Sequence, residues 1–247
     1  MNLYGDRGNV IALRQRCAWR GIDFEEDTVT CGGSFRAKDY DLFFFGGGQD
    51  QEQVTVSRDL QQGKGPSLVD AVNDGAALLA VCGGYQLLGS YFRSGDGTDI
   101  PGCGLFHAHT IAGPARHVGN VVAEAQISGH RSLLVGFENH SGCTYLDGAP
   151  PSSEQTRPLA TVVVGNGNNG QDRTEGAHYR GAIGTYLHGP ILPKNPWLAD
   201  WLLQVALRRR MGPDYELPLL DDTLELDAQG AVRDAVSRRG NRRTSIR

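Results

Sequence analysis

Strand-like and helix-like hydrophobic patterns alternate along the first hundred residues of the chain. Apolar residues three to four positions apart predict a helix over 10–20, which Gly21 ends. Apolar runs predict buried strands over 41–45 and 76–81, with a second helix over 67–73 between them and a possible strand over 22–29. Because strands alternate with helices, we expect a largely parallel sheet covered on both faces.

The pattern changes after residue 102, where short strands follow one another without long helices. The run Asn-Gly-Asn-Asn-Gly at 166–170 favours a hairpin turn, and 197–211 reads as a closing amphipathic helix. We therefore predict an α/β fold with three layers (α/β/α) and a mixed, mostly parallel central sheet with antiparallel additions. The later strands are predicted over 118–125, 133–138, 161–164 and 182–187.

Composition narrows the class of protein. The 247 residues can bury a full core, and no apolar run of about 18 residues indicates a transmembrane segment. A net charge of −4 gives no reason to expect nucleic acid. The five scattered cysteines form no Cys-x-x-Cys pair, so we expect neither a disulfide framework nor a metal site. Together with an N-terminus that has no apolar signal core, this favours a reducing cytoplasm.

The last 35 residues differ from the rest in charge. Residues 213–228 hold six acids, whereas 231–247 hold six arginines and one aspartate. We predict a main domain over 1–212 and a charged C-terminal extension over 213–247. That extension is either partly ordered and solvated or a docking segment.

Cys82 lies where the buried strand over 76–81 runs into two glycines and then a helix. This layout lifts a side chain onto a sharp turn at a strand end, where a nucleophile is exposed. Gly83 and Gly84 leave the space that such a turn needs, and the helix N-terminus favours a thiolate. The alternative is that Cys82 is a small buried hydrophobe.

A nucleophilic cysteine needs a base and oxyanion donors. His188 follows the apolar strand over 182–187 and precedes Gly-Pro, so it can reach a cysteine at the same sheet edge; otherwise it is a turn histidine. The glycines at 46–48 and the N–H of Gly83 could supply donors, although 46–48 also reads as a plain strand-to-helix turn. No Gly-Lys-Ser/Thr follows, which excludes a phosphate loop.

Several separated motifs resemble one family. Residues 45–50 (Phe-Gly-Gly-Gly-Gln-Asp), 82–86 (Cys-Gly-Gly-Tyr-Gln) and 186–190 (Tyr-Leu-His-Gly-Pro) resemble class I glutamine amidotransferases of the cobyric-acid-synthase-like branch. Within that branch, three further motifs are similar to the glutaminase subunits of lipid II isoglutaminyl synthases. They are 2–9 (Asn-Leu-Tyr-Gly-Asp-Arg-Gly-Asn), 136–140 (Gly-Phe-Glu-Asn-His) and 184–196, which runs from Gly-Thr-Tyr-Leu-His to Lys-Asn-Pro.

The resemblance implies a glutamine-hydrolysing site. Cys82 would attack the side-chain amide of L-glutamine, Gly47 and Gly83 would hold the oxyanion, and His188 would move the protons. Arg116, which alone reads as a surface residue, and Gln86 would bind the substrate; a guanidinium suits the α-carboxylate.

The resemblance also implies a partner. This chain would need no cofactor, and ammonia would pass to a separate Mur-ligase-like subunit that carries ATP and Mg²⁺. That subunit would amidate the D-glutamate α-carboxyl of the lipid-linked peptidoglycan stem peptide. The heterodimer would work in the cytoplasm, at the inner face of the membrane.

Two departures from the family matter. Pro190 occupies the position where an acid usually orients the histidine, so either the partner donates a carboxylate or Cys82 and His188 act as a dyad. We therefore expect weak glutaminase activity in the isolated chain. Family members also begin with a strand that precedes this chain's Met1, so we expect that Met1 is an internal methionine and that the first strand is missing here.

Other functions stay open from sequence. The motif at 138–140 could be a polar turn or a loop facing a partner or substrate. The chain could serve corrin biosynthesis, although it lacks the fused nucleotide-binding domain normal there. It could also be a non-catalytic scaffold for a ligase, although it keeps Cys82 and His188.

Overall fold

The computed structural model describes residues 6–48, 50–148 and 155–242. The first five residues of the chain, Gln49 and the strand expected before Met1 lie outside that part. Seven α-helices are described, together with a 3₁₀ turn at Ala37–Asp39 and a π-helical stretch at Leu60–Lys64. The α-helices are α1 Arg7–Ala18, α2 Asp50–Asp59, α3 Gly65–Asn73, α4 Gly83–Leu88, α5 Ile191–Lys194, α6 Pro196–Met211 and α7 Thr223–Arg242.

The strands form two sheets. In the first, three parallel strands and one antiparallel strand lie in the order β1-β2-β10-β9; in the second, the order is β11-β6-β5-β3-β4, with β7 on β5 and β8 on β7. The strands are β1 Leu42–Phe45, β2 Ala77–Val81, β3 Tyr91–Arg93, β4 Asp99–Pro101, β5 Ala108–Ile127, β6 His130–Leu146, β7 Ala160–Val164, β8 Thr174–Glu175, β9 Ala177–Tyr179, β10 Ala182–Thr185 and β11 Leu187–His188.

The predicted α/β architecture with a mostly parallel sheet is confirmed, and β2 shows how its layers form. All five residues of β2 are buried. Leu79 packs in a cluster with residues of α1 and α6 on one face, whereas Leu78 packs with α3 and α4 on the other. Because alternate side chains of a strand point to opposite faces, a continuous apolar run places helices on both sides.

The antiparallel part is larger than expected. The strands predicted over 118–125 and 133–138 are pieces of one long hairpin of β5 and β6. The hairpin expected at 166–170 is confirmed, since β7 pairs antiparallel with β8. The strand predicted over 182–187 divides: β10 stays in the parallel sheet, while β11 pairs with β6 of the other sheet.

The strand proposed over 22–29 is wrong. Ile22 and Phe24 pack against the core, which explains their apolar spacing, but the segment pairs with no strand in the described part of the chain. Half-buried apolar residues can therefore imitate a strand pattern without a neighbouring strand to supply hydrogen bonds.

The charged segment after residue 212 packs against the domain and is helical over α7. Arg16, which is 4% exposed, pairs with Asp222 at 2.7 Å, and Gln229 donates to the backbone carbonyl of Lys194 at 3.0 Å. Val236 is buried against Val122 and Val135. A solvated extension is not what the structure shows. The count of charges did not reveal this packing, because it overlooks the few apolar residues on one face of α7.

No helix in the described ranges is both long enough and apolar enough to cross a membrane.

Candidate active site

Cys82 stands on a sharp turn between β2 and α4, as predicted. Its φ of 52° lies in the left-handed region, which costs a non-glycine residue about 1–2 kcal/mol. The turn is held because the Cys82 N–H donates to the Thr185 carbonyl at 2.8 Å and the Cys82 carbonyl accepts from Gln86 N–H at 3.0 Å. Strain of this kind persists only where the surrounding structure enforces it, and it occurs often at functional sites.

The two glycines after Cys82 are required by space. A Cβ on Gly84 would lie 2.4 Å from the Phe45 carbonyl oxygen, and one on Gly83 would lie 2.7 Å from Nε2 of Gln53. The close approach of the β1 end therefore leaves no room for a side chain at Gly84, whereas one at Gly83 would displace the Gln53 amide and press on the Gly48 backbone at 3.1 Å. The steric reason inferred from the sequence is confirmed.

His188 reaches Cys82 from the neighbouring strand end. It follows β10 and lies in β11, where it pairs with Phe137 of β6, and its side chain is 2% exposed. Its imidazole lies beside the Cys82 side chain: a Cβ placed on Gly47 would be 3.4 Å from Cε1 of His188 and 3.5 Å from Cβ of Cys82. The carboxyl ends of β2 and β10 meet at the same sheet edge, so the structure brings this predicted pair together.

Asp6, which is not among the site residues predicted from the sequence, completes this group. The carboxyl is fully buried, and its Oδ1 lies 3.2 Å from Nδ1 of His188. An acid thus stands behind the histidine although Pro190 occupies the usual position. From the sequence we expected either a dyad of Cys82 and His188 or a carboxylate donated by the partner. The structure instead shows a triad-like arrangement within the chain itself. The sequence signal that could have identified Asp6 is its place within the family motif at 2–9.

The charge of Asp6 changes the protonation of His188. Burial alone would lower the pKa of His188, but the interactions with Asp6 and Cys82 outweigh burial and raise that pKa to about 9. An imidazolium is therefore favoured at neutral pH. Beside a cysteine, such a cation stabilises the thiolate, which is the nucleophilic form.

The expected oxyanion donors lie beside the cysteine. A Cβ on Gly47 would be 3.5 Å from Cβ of Cys82, so this backbone borders the nucleophile. The Gly47 N–H, however, donates to Oδ2 of Asp6 at 2.8 Å. Gly83 begins α4, and the first N–H groups of a helix have no acceptor within it. The oxyanion roles of both glycines stay predictions.

Gln86 belongs to a buried polar network next to the turn. Its Oε1 accepts from Gln53 Nε2 at 2.8 Å, and its Nε2 donates to the Tyr186 hydroxyl at 3.1 Å. That hydroxyl also lies 2.7 Å from Oγ1 of Thr144. Both ends of the Gln86 amide are thus engaged within the protein, and its predicted contact with substrate stays a prediction.

Arg116 lies on the exposed side of the site, where the β5–β6 register shifts. Its Nε donates to Oδ1 of Asn139 at 2.6 Å. Burial lowers the pKa of His140, and the charges of His188 and Arg116 lower it further. The structure therefore places Arg116 and His188 near one histidine ring, and the contact of Arg116 with substrate stays a prediction.

The motif at 138–140 forms neither a polar turn nor a loop, because it lies within strand β6. The Glu138 carboxylate accepts from the backbone N–H groups of Asn166 and Gly167, at 3.1 and 3.0 Å. Asn139 holds Arg116, and His140 stacks on Tyr186 with ring centroids 3.6 Å apart. Each residue of the motif thus fastens a different part of the site.

Comparison with known proteins points to the same chemistry. A family model described as the CobB/CobQ-like glutamine amidotransferase domain matches residues 1–196. The chain is 40% identical to "Lipid II isoglutaminyl synthase (glutamine-hydrolyzing) subunit GatD" of Staphylococcus aureus, covering 96% of this chain and 93% of that protein. It is 36% identical to the subunit of the same name from Streptococcus pneumoniae, over 96% and 88%.

A solved structure supports the fold independently. A crystal structure of a glutamine amidotransferase superposes with a TM-score of 0.50 at 16% identity, covering 79% of this chain and 93% of the other. At this identity the likeness speaks for the fold alone.

Proposed function

This chain belongs to the CobB/CobQ-like glutamine amidotransferase family, and from that premise we propose that Cys82 hydrolyses the side-chain amide of L-glutamine through a thioester. The observation that carries the proposal is that His188 lies beside Cys82 and against Asp6 at the end of the parallel sheet. A strained cysteine, a histidine and a buried acid in line are the parts that nucleophilic acyl transfer needs.

The steps balance with these groups. The Cys82 thiolate attacks the amide carbon, and the His188 imidazolium gives its proton to the departing ammonia. The neutral imidazole then takes a proton from water, which attacks the thioester and releases glutamate and the thiolate. Asp6 holds Nδ1 of His188, so that Nε2 faces the reaction in both steps.

Two backbone N–H groups are proposed to stabilise the tetrahedral oxyanion, those of Gly83 and Gly47. The Gly47 N–H can donate to the oxyanion only after its hydrogen bond with the Asp6 carboxylate breaks, because one N–H does not donate strongly to two acceptors. Binding of glutamine or of a partner would supply the energy for that exchange. Arg116 is proposed to bind the substrate α-carboxylate, and Gln86 to support the substrate from the buried network.

The proposed destination of the ammonia is a separate ligase. Both relatives are named as glutamine-hydrolysing subunits of lipid II isoglutaminyl synthase and match this chain over nearly their whole length. We infer a heterodimer with a Mur-ligase-like subunit that uses ATP and Mg²⁺ to amidate the D-glutamate α-carboxyl of the lipid II stem peptide. The complex would work in the cytoplasm at the inner membrane face, and this chain would carry no cofactor.

Two alternatives make different predictions. A glutaminase of corrin biosynthesis would share the site but serve another acceptor, so a Mur-ligase-like reading frame beside the gene for this chain would separate the two. A non-catalytic scaffold would not need Cys82 and His188 in contact. The arrangement around Cys82 favours an enzyme over the scaffold.

A glutamine analogue with an electrophilic carbon at the amide position, such as 6-diazo-5-oxo-L-norleucine, tests the proposal. The full chain should form a covalent adduct at Cys82, detected by peptide mass spectrometry, and should release ammonia from glutamine. Cys82→Ala should do neither, whereas Cys31→Ala, at an exposed cysteine, should do both. Ammonia release by Cys82→Ala at the normal rate would contradict the mechanism.

Ammonia release with and without the ligase subunit tests the partnership separately. We expect faster hydrolysis in the heterodimer, because partner binding would free the Gly47 N–H. An unchanged rate would exclude activation by the partner without touching the assignment of Cys82.

A further inference from the structure

One ring nitrogen of His140 is among the few buried polar side-chain atoms without a hydrogen-bond partner in the described part of the chain, a group that also includes Oε1 of Gln53 and Oε2 of Glu175. His140 is 2% exposed, and its Nδ1 lies 2.8 Å from the carbonyl oxygen of Gly142. A carbonyl only accepts, so Nδ1 carries the proton and Nε2 presents a lone pair. Across the described ranges, Nε2 of His140 is buried with no hydrogen-bond partner.

The ring is held in this neutral, accepting form. Burial and, to a smaller extent, the positive charges of His117, His188 and Arg116 together lower the pKa of His140 to about 3, against the hydrogen bond with Gly142. Stacking on Tyr186, with an interplanar angle of 7°, fixes the ring's orientation. A buried acceptor without a donor costs about 1–3 kcal/mol, which a ligand donor would recover.

His140 lies between the groups that handle the two ends of the proposed substrate. Tyr186, on which it stacks, is two residues before His188, and burial together with the nearby Cys82 raises the pKa of Tyr186. On the exposed side, Asn139 positions Arg116 on the strand next to His140. The His140 ring therefore lies between the strand end that carries His188 and the strand that carries Arg116.

We propose that Nε2 of His140 accepts a hydrogen bond from the α-ammonium group of glutamine, so that His140 selects amides that carry an α-amine. This inference rests on the proposed glutaminase function. The α-ammonium is the donor adjacent to the α-carboxylate, whereas the amide N–H groups leave as ammonia at Cys82. A neutral acceptor binds the ammonium without cancelling the charge that Arg116 offers to the carboxylate.

The test compares L-glutamine with 4-carbamoylbutanoate, which has the same amide and carboxylate but no α-amine. In the full chain, the KM for glutamine and the inhibition constant of 4-carbamoylbutanoate are measured by ammonia release. A hydrogen bond to a charged group corresponds to a difference of about tenfold or more, so wild type should bind the analogue at least that much more weakly.

His140→Phe keeps a ring to stack on Tyr186 but removes the acceptor. We expect it to raise the KM for glutamine about tenfold, with a smaller effect on kcat and no effect on the inhibition constant of the analogue. Both constants are independent of the folded fraction, so partial unfolding cannot imitate this result. His178→Phe, at a buried histidine near Trp201, is the matched control and should leave both constants unchanged.

Equal affinities for glutamine and the analogue in wild type would overturn the inference. So would a His140→Phe protein in which both constants rise by the same factor, which would indicate a purely structural role for the ring. Arg116→Ala should raise both constants together, because both compounds carry the carboxylate. Wild type that releases no ammonia from glutamine would instead refute the proposed function itself.

Discussion

Replacing Asp6 by asparagine removes one buried negative charge behind His188 and changes the size of the side chain very little. The asparagine carbonyl can still accept a hydrogen bond, either from the Gly47 N–H or from Nδ1 of His188. The imidazolium, however, loses its charged partner at 3.2 Å. Because both side chains are almost fully buried, water does not replace that charge.

The size of the effect follows from the hydrogen bond. A bond to a charged group contributes about 1.5–3 kcal/mol, and one pKa unit corresponds to about 1.4 kcal/mol. The pKa of His188, about 9 in the wild type, should therefore fall by about one to two units. If the same energy is lost in the transition state, kcat/KM for glutamine falls by about ten- to a hundredfold.

The assay is the pH profile of ammonia release from glutamine. Protonated His188 is needed as the acid, so the wild-type rate should decline as the pH rises through about 9. In Asp6→Asn this decline should begin at lower pH. Asp96→Asn, which changes an exposed aspartate in the turn before β4, is the control and should reproduce the wild-type profile.

Stability gives a second readout with a definite sign. The pKa of His188 is raised above its ordinary value of 6.5, so its contribution to stability is complete below that pH and disappears as the pH rises through about 9. Asp6→Asn should therefore lose stability mainly at neutral and acidic pH. If kcat/KM falls but the alkaline decline stays where it was, Asp6 acts only in packing, and the reasoning is refuted.

Three further predictions concern other parts of the chain. Cys82→Gly should be inactive yet about 1–2 kcal/mol more stable to urea than Cys82→Ala, because glycine relieves the strain at φ 52°; equal stability would contradict that strain. Burial raises the pKa of Glu175 to about 7 against its hydrogen bonds with Thr185 and Tyr186, so stability should fall as the pH rises from 4.5 to about 7. Glu175→Gln should flatten that slope in urea titrations, and an unchanged slope would assign it to another group. Val236→Asp should release α7 and expose residues 213–222 to limited proteolysis, whereas Val163→Asp, at a 49% exposed position, should not; resistance of both would mean that Val236 does not anchor the helix.

The regular elements with strong local patterns were predictable. The predicted helices over 10–20, 67–73 and 197–211 correspond to α1, α3 and α6, with boundaries shifted by up to a few residues. The buried strands next to them were also found. The spacing of apolar residues within each of these segments indicates whether it forms a helix or a strand, and no distant residue is needed to decide.

Segments whose structure depends on residues far away in the chain were predicted less accurately. The segment over 22–29 has the apolar residues of a strand but no strand beside it. The run over 182–187 is one apolar stretch in sequence, yet it is shared between two sheets. The charged tail docks through contacts such as Arg16 with Asp222, which are 206 positions apart. None of these outcomes is encoded in a short window.

The amino-acid sequence by itself determined the turn at Cys82 and its family, because a strand, two glycines and a helix act through local sterics and a few short motifs. Only the tertiary structure decided what surrounds that turn. Asp6 and His188 are separated by 182 positions, and they meet because the start of α1 packs against the turn after β11, where Gly8 lies beside Pro190. The open nitrogen of His140 became visible in the same way, since an unpaired acceptor is recognised only when every neighbour is known.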